Sequence, residues 1–487
     1  MLHGVLRRWI GELCQAQRSG IWRYRQQVEA VKSGCQTVNE FLTSLPVHIL
    51  DDMTLLVAGD FVKEISSHHK RDRAFERTTG CDEDMHSVVC TDMLKSVLLP
   101  STRRYNTNVL SGFEQKLVIQ TFDSTPNLTK LVFNTATNSD NSALLASNIH
   151  RLRHLVSFQY NYHCTDQVLQ QLALHCTKLK KLDVSESRAV TNISVQHLLK
   201  LGNLKDLEIT DTSINSEFYG LLISQLPRLA NIVWSLPICF VLNSIATETL
   251  HMLNYVNGPI CDTNILTRKC PNIRILILHS AYDDLSSLTV LNGLVDVRIE
   301  HGDYGRTNMG VVLRSVGYRL DQLHLKHVEK VNMADITTLC SCLRVLVFDH
   351  CTYVPREPYT VIRSDLPHFT SVRVLVIYET AEYVEYSRHL GYYANLVLFM
   401  CNGVDVMADD FMFEAVQNGA FRSIEHFEVI GSETGDLSMD TVWLLINNCE
   451  HLKTVGRLGT WRRVSPDDVS DLKTKIRSEN LDLKIIK

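Results

Sequence analysis

The chain has 487 residues, 45% of them hydrophobic and 21% charged, with a net charge of −5 at neutral pH. Both signs of charge are interspersed and no tract is of low complexity, which argues against a disordered chain and against a phosphate-backbone binder. Nowhere do about 18 apolar residues run uninterrupted, and Arg7, Arg8 and Glu12 interrupt the first segment where an export signal needs an apolar core, so a soluble cytoplasmic or nuclear protein is expected.

Residues 1–110 read as a helical region with a locally basic face, Arg7, Arg8, Arg18, Arg23, Arg25 and Lys32 standing against Glu12 and Glu29. Its expected use is to cap the apolar end of the repeat array that follows. Within it, Ser44-Leu45-Pro46-Val47-His48-Ile49-Leu50-Asp51-Asp52-Met53 sets Leu45, Ile49, Leu50 and Met53 along one helix face behind a proline in the first turn. This spacing resembles the opening of an F-box. Residues 44–76 are accordingly read as a degenerate F-box-like segment, because the stretch from Val62 to Phe75 lacks the cysteine and tryptophan that the family carries there. The resemblance implies that Leu45, Pro46, Ile49, Leu50 and Met53 dock a cullin adaptor. An ordinary amphipathic helix accounts for the same spacing, which is also similar to the cullin box of Elongin-binding receptors. Further on, His68, His69, Cys81, His86 and Cys90 match no paired zinc spacing, and no metal is assigned.

From residue 111 to 487 one pattern, apolar-x-x-apolar-x-apolar, recurs. It reads LTKLVF from Leu128, LVSFQY from Leu155, LKKLDV from Leu179, LKDLEI from Leu204, LANIVW from Leu229, LHMLNY from Leu250 and IRILIL from Ile273. LVDVRI from Leu294, LDQLHL from Leu320, LRVLVF from Leu343, VRVLVI from Val372, LVLFMC from Leu396, IEHFEV from Ile424 and LKTVGR from Leu452 follow, giving fourteen copies. A period of about 25 residues is that of leucine-rich repeats. The first, fourth and sixth residues of each copy point inward and the second, third and fifth outward, so each copy predicts one short strand stacked on the last. Between strands, VLQQLALHC, SVQHLLKLG and MDTVWLLINNC space apolar residues three and four apart and predict helices. The expected fold is an α/β leucine-rich-repeat solenoid, with a parallel sheet on the concave face, helices on the convex face and a helical N-terminal cap.

The repeats resemble the cysteine-containing subclass found in F-box/LRR substrate receptors. There a cysteine closes the helix three residues before the strand, as do Cys176, Cys270, Cys340 and Cys449 here, while Cys351 follows a strand. With fourteen cysteines spread over a long chain, all are expected to be reduced, packed thiols.

No Walker-type loop, nucleophile elbow, His-Glu-x-x-His or dinucleotide fingerprint occurs, and GDYGRTNMG at 302–310 reads as a turn between repeats, so no enzyme and no cofactor is expected. Function then falls to the outward strand positions. Most are polar, including Arg298 and His324, but three copies carry an arginine second and aliphatics third and fifth. These are Arg274 with Ile275 and Ile277, Arg344 with Val345 and Val347, and Arg373 with Val374 and Val376, a basic-edged apolar patch suited to a protein partner. A loop from Thr352 to Phe369 folding over that wall is the alternative. The resemblance implies the substrate-recognition subunit of a cullin-type ubiquitin ligase, with a cullin adaptor and a substrate protein as partners and neither nucleic acid nor membrane. The other reading is a repeat scaffold with no ligase link.

Overall fold

The computed structural model describes residues 102–107, 112–133, 141–246, 249–354, 370–378, 393, 395–402, 407–430 and 436–486. The F-box-like segment 44–76, with Leu45, Pro46, Ile49, Leu50 and Met53, and the loop core 355–369 lie outside them. The chain divides into two units, residues 1–204 with 211–213, and residues 205–210 with 214–487.

Inward leucines at the first and fourth repeat positions drive strand stacking in both units. Leu128, Leu131, Leu155, Leu179 and Leu182 in the first unit, and Leu276, Leu323, Leu346 and Leu375 in the second, are almost wholly buried. Each such side chain contributes about 1.5–3 kcal/mol relative to leaving it in water. In the first unit β1 (Arg104–Thr107), β2 (Lys130–Phe133), β3 (Ser157–Tyr160) and β4 (Lys181–Asp183) pair in parallel, in chain order.

The second unit starts with β5 (Asp206–Glu208) and continues as an open sheet of eleven strands in strict chain order. These are β6 (Asn231–Val233), β7 (Tyr255–Pro259), β8 (Ile275–Ala281), β9 (Asp296–Asp303), β10 (Gln322–Glu329) and β11 (Val345–Asp349). They are followed by β12 (Val374–Tyr378), β13 (Leu398–Asn402), β14 (His426–Ile430), β15 (Thr454–Gly456) and β16 (Lys484–Ile486). Between β5 and β6 the buried Asn231 side chain stands in for a ladder rung: its Oδ1 accepts the Leu207 N–H at 3.0 Å and its Nδ2 donates to the Leu207 carbonyl at 3.4 Å.

Parallel strands joined through helices, with the sheet left open, make each unit a leucine-rich-repeat solenoid. The expected helices form at Asp166–His175, Val195–Leu198 and Met439–Asn448. Their starts follow from side-chain caps, since Thr165, Asn215, Asp262, Asn332, Ser438 and Ser465 each accept an N–H of the helix they precede. The turn at 302–310 leads into the helix Met309–Val316, its Asp303 accepting the Arg306 N–H at 2.9 Å and the Lys330 ammonium at 2.7 Å.

Helix ends vindicate the cysteine spacing. Cys176, Cys270, Cys340 and Cys449 all occupy the residue that closes a helix. Burial pushes the thiols of Cys176, Cys270 and Cys340 up to about 12 and that of Cys449 to about 11. Cys342, two residues from Cys340, is exposed. Alkylation at pH 8 followed by peptide mass mapping is therefore expected to mark Cys342 in the native protein and Cys340 only after unfolding. Equal rates at the two would contradict this packing.

Two expectations need correction. Cys239 and Cys261 are joined, their sulfurs 1.85 Å apart, so the cysteines are not all reduced. Neither residue occupies the helix-closing position, and it is the stacking of the helix Ile238–Ser244 beside the end of β7 that brings them together. The repeat read from Leu250 is also shifted: Tyr255 pairs with Ile275, so the unit runs LNYVNG from Leu253. Its sixth position is Gly258, where φ is +152° and a Cβ would collide with the Trp234 carbonyl. An apolar side chain has no room there, which hides this copy from the pattern.

Candidate functional site

Strand register lays the outward residues of the second unit into rows. The third-position row runs Tyr255, Ile275, Asp296, Gln322, Val345, Val374, Leu398, His426 and Thr454. The fifth-position row runs Asn257, Ile277, Arg298, His324, Val347, Val376, Met400, Glu428 and Gly456. The predicted residues thus share one face, but not one patch.

Ile275 and Ile277 are cut off from the valines by the polar positions of β9 and β10. On β9, Arg298 grips Asp296 with two bonds of 3.1 and 2.8 Å, and that carboxylate is 5% exposed. On β10, the buried His324 Nε2 has no hydrogen-bond partner among the described residues. Burial, helped by the Arg298 charge, holds its pKa below the usual imidazole range.

The apolar patch lies instead on β11, β12 and β13. Val345, Val347, Val374, Val376, Leu398 and Met400 form a block of two rows and three strands, each half-buried. Leu398 and Met400 were missed because their repeat carries Val397, not an arginine, at the second position. Around this block stand charges. Arg344 is bound to Asp321 through Nε and, at 2.8 Å, through Nη2; Arg373 is exposed without an ion-pair partner among the described residues. Beyond the block, Arg457 meets Glu428 at 2.8 Å and Lys453 meets Glu425 at 2.6 Å. Arg274 is exposed at the start of β8. An apolar centre with a charged rim is the composition of a protein-binding surface.

The strand ends carry a second feature. Residues leaving the strands adopt left-handed backbone at Ser280, His301, His327 and His350, with φ between +49° and +58°. The last three rings form a ladder, His301 on His327 at 4.6 Å and His327 against His350 at 4.7 Å. Nearby, His279 lies 2.7 Å from both Glu300 and Asn257. Burial first, then the neighbouring His301 and His350, holds the His327 pKa below its usual value.

A histidine whose folded pKa is depressed contributes stability that is complete above the unfolded value near 6.5 and lost as pH falls below it. Nuclear magnetic resonance titration is expected to place the midpoints of His324 and His327 below 6.5. A midpoint above 6.5 for either would contradict these surroundings.

Among the described residues no group of three or more His, Cys, Asp or Glu could hold a metal, and no helix is long and apolar enough to cross a membrane. No family model matches the chain, and no curated protein matches it. Solved structures with detectable similarity include an internalin of Listeria monocytogenes, 14% identical, covering 70% of this chain and 82% of its own, with a TM-score of 0.34. A leucine-rich-repeat protein of Leptospira interrogans is 12% identical over 80% of this chain and 91% of its own, TM-score 0.38. The yeast Rad7–Elc1 complex contains a chain 14% identical over 100% of this one and 97% of its own, TM-score 0.39. At these scores the fold rests on strand register and burial, not on the superpositions.

Proposed function

We propose that the chain is a non-enzymatic protein-binding scaffold that holds a partner protein on the open face of β11–β13. The observation that carries this is the block of Val345, Val347, Val374, Val376, Leu398 and Met400, aliphatic side chains set together on a sheet face where neighbouring strands place polar ones. Arg274, Ile275, Ile277, Arg298, His324, Arg344 and Arg373 flank it, and the charged ones give it orientation and partner choice rather than affinity.

The finer reading is that the partner is a substrate and that this is the receptor subunit of a cullin-type ubiquitin ligase, with residues 44–76 docking the adaptor. Its support is the apolar spacing of Leu45, Ile49, Leu50 and Met53 behind Pro46. Purification from cells of the wild type and of Leu50→Asp tests it. A cullin adaptor that accompanies the wild type and is lost by at least about tenfold from a folded Leu50→Asp protein supports the ligase reading. No adaptor with either protein leaves a repeat scaffold without a ligase link.

A further inference from the structure

A second surface stands in the first unit, apart from the apolar block. Register puts Arg104 beside Lys130, and Arg103 and Lys180 lie in the second-position row of the same sheet. Arg153 and Lys178 sit one step further toward the strand starts, ahead of β3 and β4. Arg103, Arg104, Arg153, Lys178 and Lys180 are exposed and Lys130 is half-exposed.

None of the six makes an ion pair among the described residues. Arg153 reaches only the His150 carbonyl and Lys178 only the His154 ring. On β2–β4 the outward acid, Asp183 at the fifth position of β4, is occupied by the Asn161 amide and the Ser185 N–H. A chain that is net negative therefore carries a local band of uncompensated positive charge. In linear sequence these cations are scattered singly and in pairs over residues 103–180, which is why no basic stripe is visible there.

We propose that the start-side band of β1–β4 docks an acidic polypeptide segment. Three inter-strand steps of about 4.8 Å span roughly 14 Å, the length of four or five extended residues at about 3.3 Å each. Thr129, Val156 and Ser157 lie between the cations and offer a peptide backbone small polar and apolar neighbours. No aromatic side chain stands at the outward positions of β2–β4 on which bases could stack, and Asp183 closes the band on its exit side. These features favour a carboxylate-rich peptide over a nucleic acid.

The test is fluorescence anisotropy on the full chain with a fluorescein-labelled peptide of five alternating Glu and Asp residues flanked by Gly-Ser. In 0.1 M salt, where charges about 10 Å apart still interact, saturable binding is expected. It is expected to weaken at least about tenfold in Arg103→Glu/Lys180→Glu and to be unchanged in Arg462→Glu, an exposed position of the second unit. Arg104→Gln/Lys130→Gln removes charge without reversing it and is expected to weaken binding as well. Wild-type circular dichroism shows whether the variants remain folded, as their exposed positions require. Absence of saturable binding, wild-type binding by both double variants, or displacement of the peptide by a 20-nucleotide DNA at lower concentration than by unlabelled peptide overturns the proposal.

Discussion

Val347→Glu/Val376→Glu is expected to abolish partner capture while leaving the protein folded. The two side chains are neighbours in the fifth-position row, on β11 and β12, and both are half-buried with their outer halves in solvent. In the free protein a glutamate at either position keeps water around its carboxylate, so the stability cost is within the ordinary range of about 1 kcal/mol for a substitution. Beneath a bound partner the same carboxylates lose that water, with the nearest arginines, Arg344 and Arg373, three residues away along the strands. Burying a polar group without compensation costs about 2–7 kcal/mol, and a charge costs more, so affinity is expected to fall by at least about a hundredfold. Val347→Ala/Val376→Ala removes contact without adding charge and is expected to give an intermediate loss. Phe413→Glu, at an exposed position on the helix Asp409–Gln417, is the matched control and is expected to bind as wild type.

The other large effect concerns what ties successive repeats together. Asp409 lies at the start of one helix and accepts the Ser438 N–H at 2.9 Å, the Ser438 hydroxyl at 2.6 Å and the Thr441 hydroxyl at 2.6 Å, all from the start of the next. Asp166 repeats the device in the first unit with Thr191 and Ser194. Ser438 and Thr441 are buried, so Asp409→Ala strands donors that water cannot reach. A loss of about 2–4 kcal/mol is expected, on the order of a hundredfold faster amide exchange in the helix Met439–Asn448. Asp467→Ala, whose side chain is exposed, is expected to leave that exchange unchanged.

Burial raises the Asp409 pKa, but donation from Ser438 and Thr441, with Arg463 nearby, outweighs it and leaves the carboxyl below its usual value. Its contribution is therefore present above the unfolded carboxylate value of about 3.9 and lost as pH falls through the lower folded one. The stability gap between wild type and Asp409→Asn is accordingly expected to be full at pH 6 and to close below about pH 4. A gap that widens on acidification would contradict the hydrogen-bond assignment.

What was legible in the chain was whatever repeats. Inward leucines recur at fixed spacing, so most strands, the helices Asp166–His175, Val195–Leu198 and Met439–Asn448, and the cysteines closing the helices could be read from the sequence. Features that break the repeat were invisible for stated reasons. Gly258 stands where the pattern demands an apolar residue, because a neighbouring carbonyl fills the space. The pairing of Cys239 with Cys261 depends on how one repeat sits on the next, across 22 residues. β1 and β16 flank the fourteen copies without matching them: Thr102 and Asp482 stand where the first apolar residue is expected.

The candidate site shows the same limit. An arginine marker joined Ile275 and Ile277 to the valines and left out Leu398 and Met400, whereas register does the reverse. Position within one repeat is a local property. Adjacency across repeats is set by the number of strands between them, and two polar strands are enough to split a patch.

Under the proposed function the open face of β11–β13, not the helical side, holds the partner. A photo-crosslinking amino acid placed at Val376 in the cell, with the same group at Phe413 for comparison, tests it most directly. Discrete covalent adducts to a defined protein from position 376, with none from position 413, are the predicted result. Adducts from 413 and none from 376 would place the partner on the helices and rule out the sheet face.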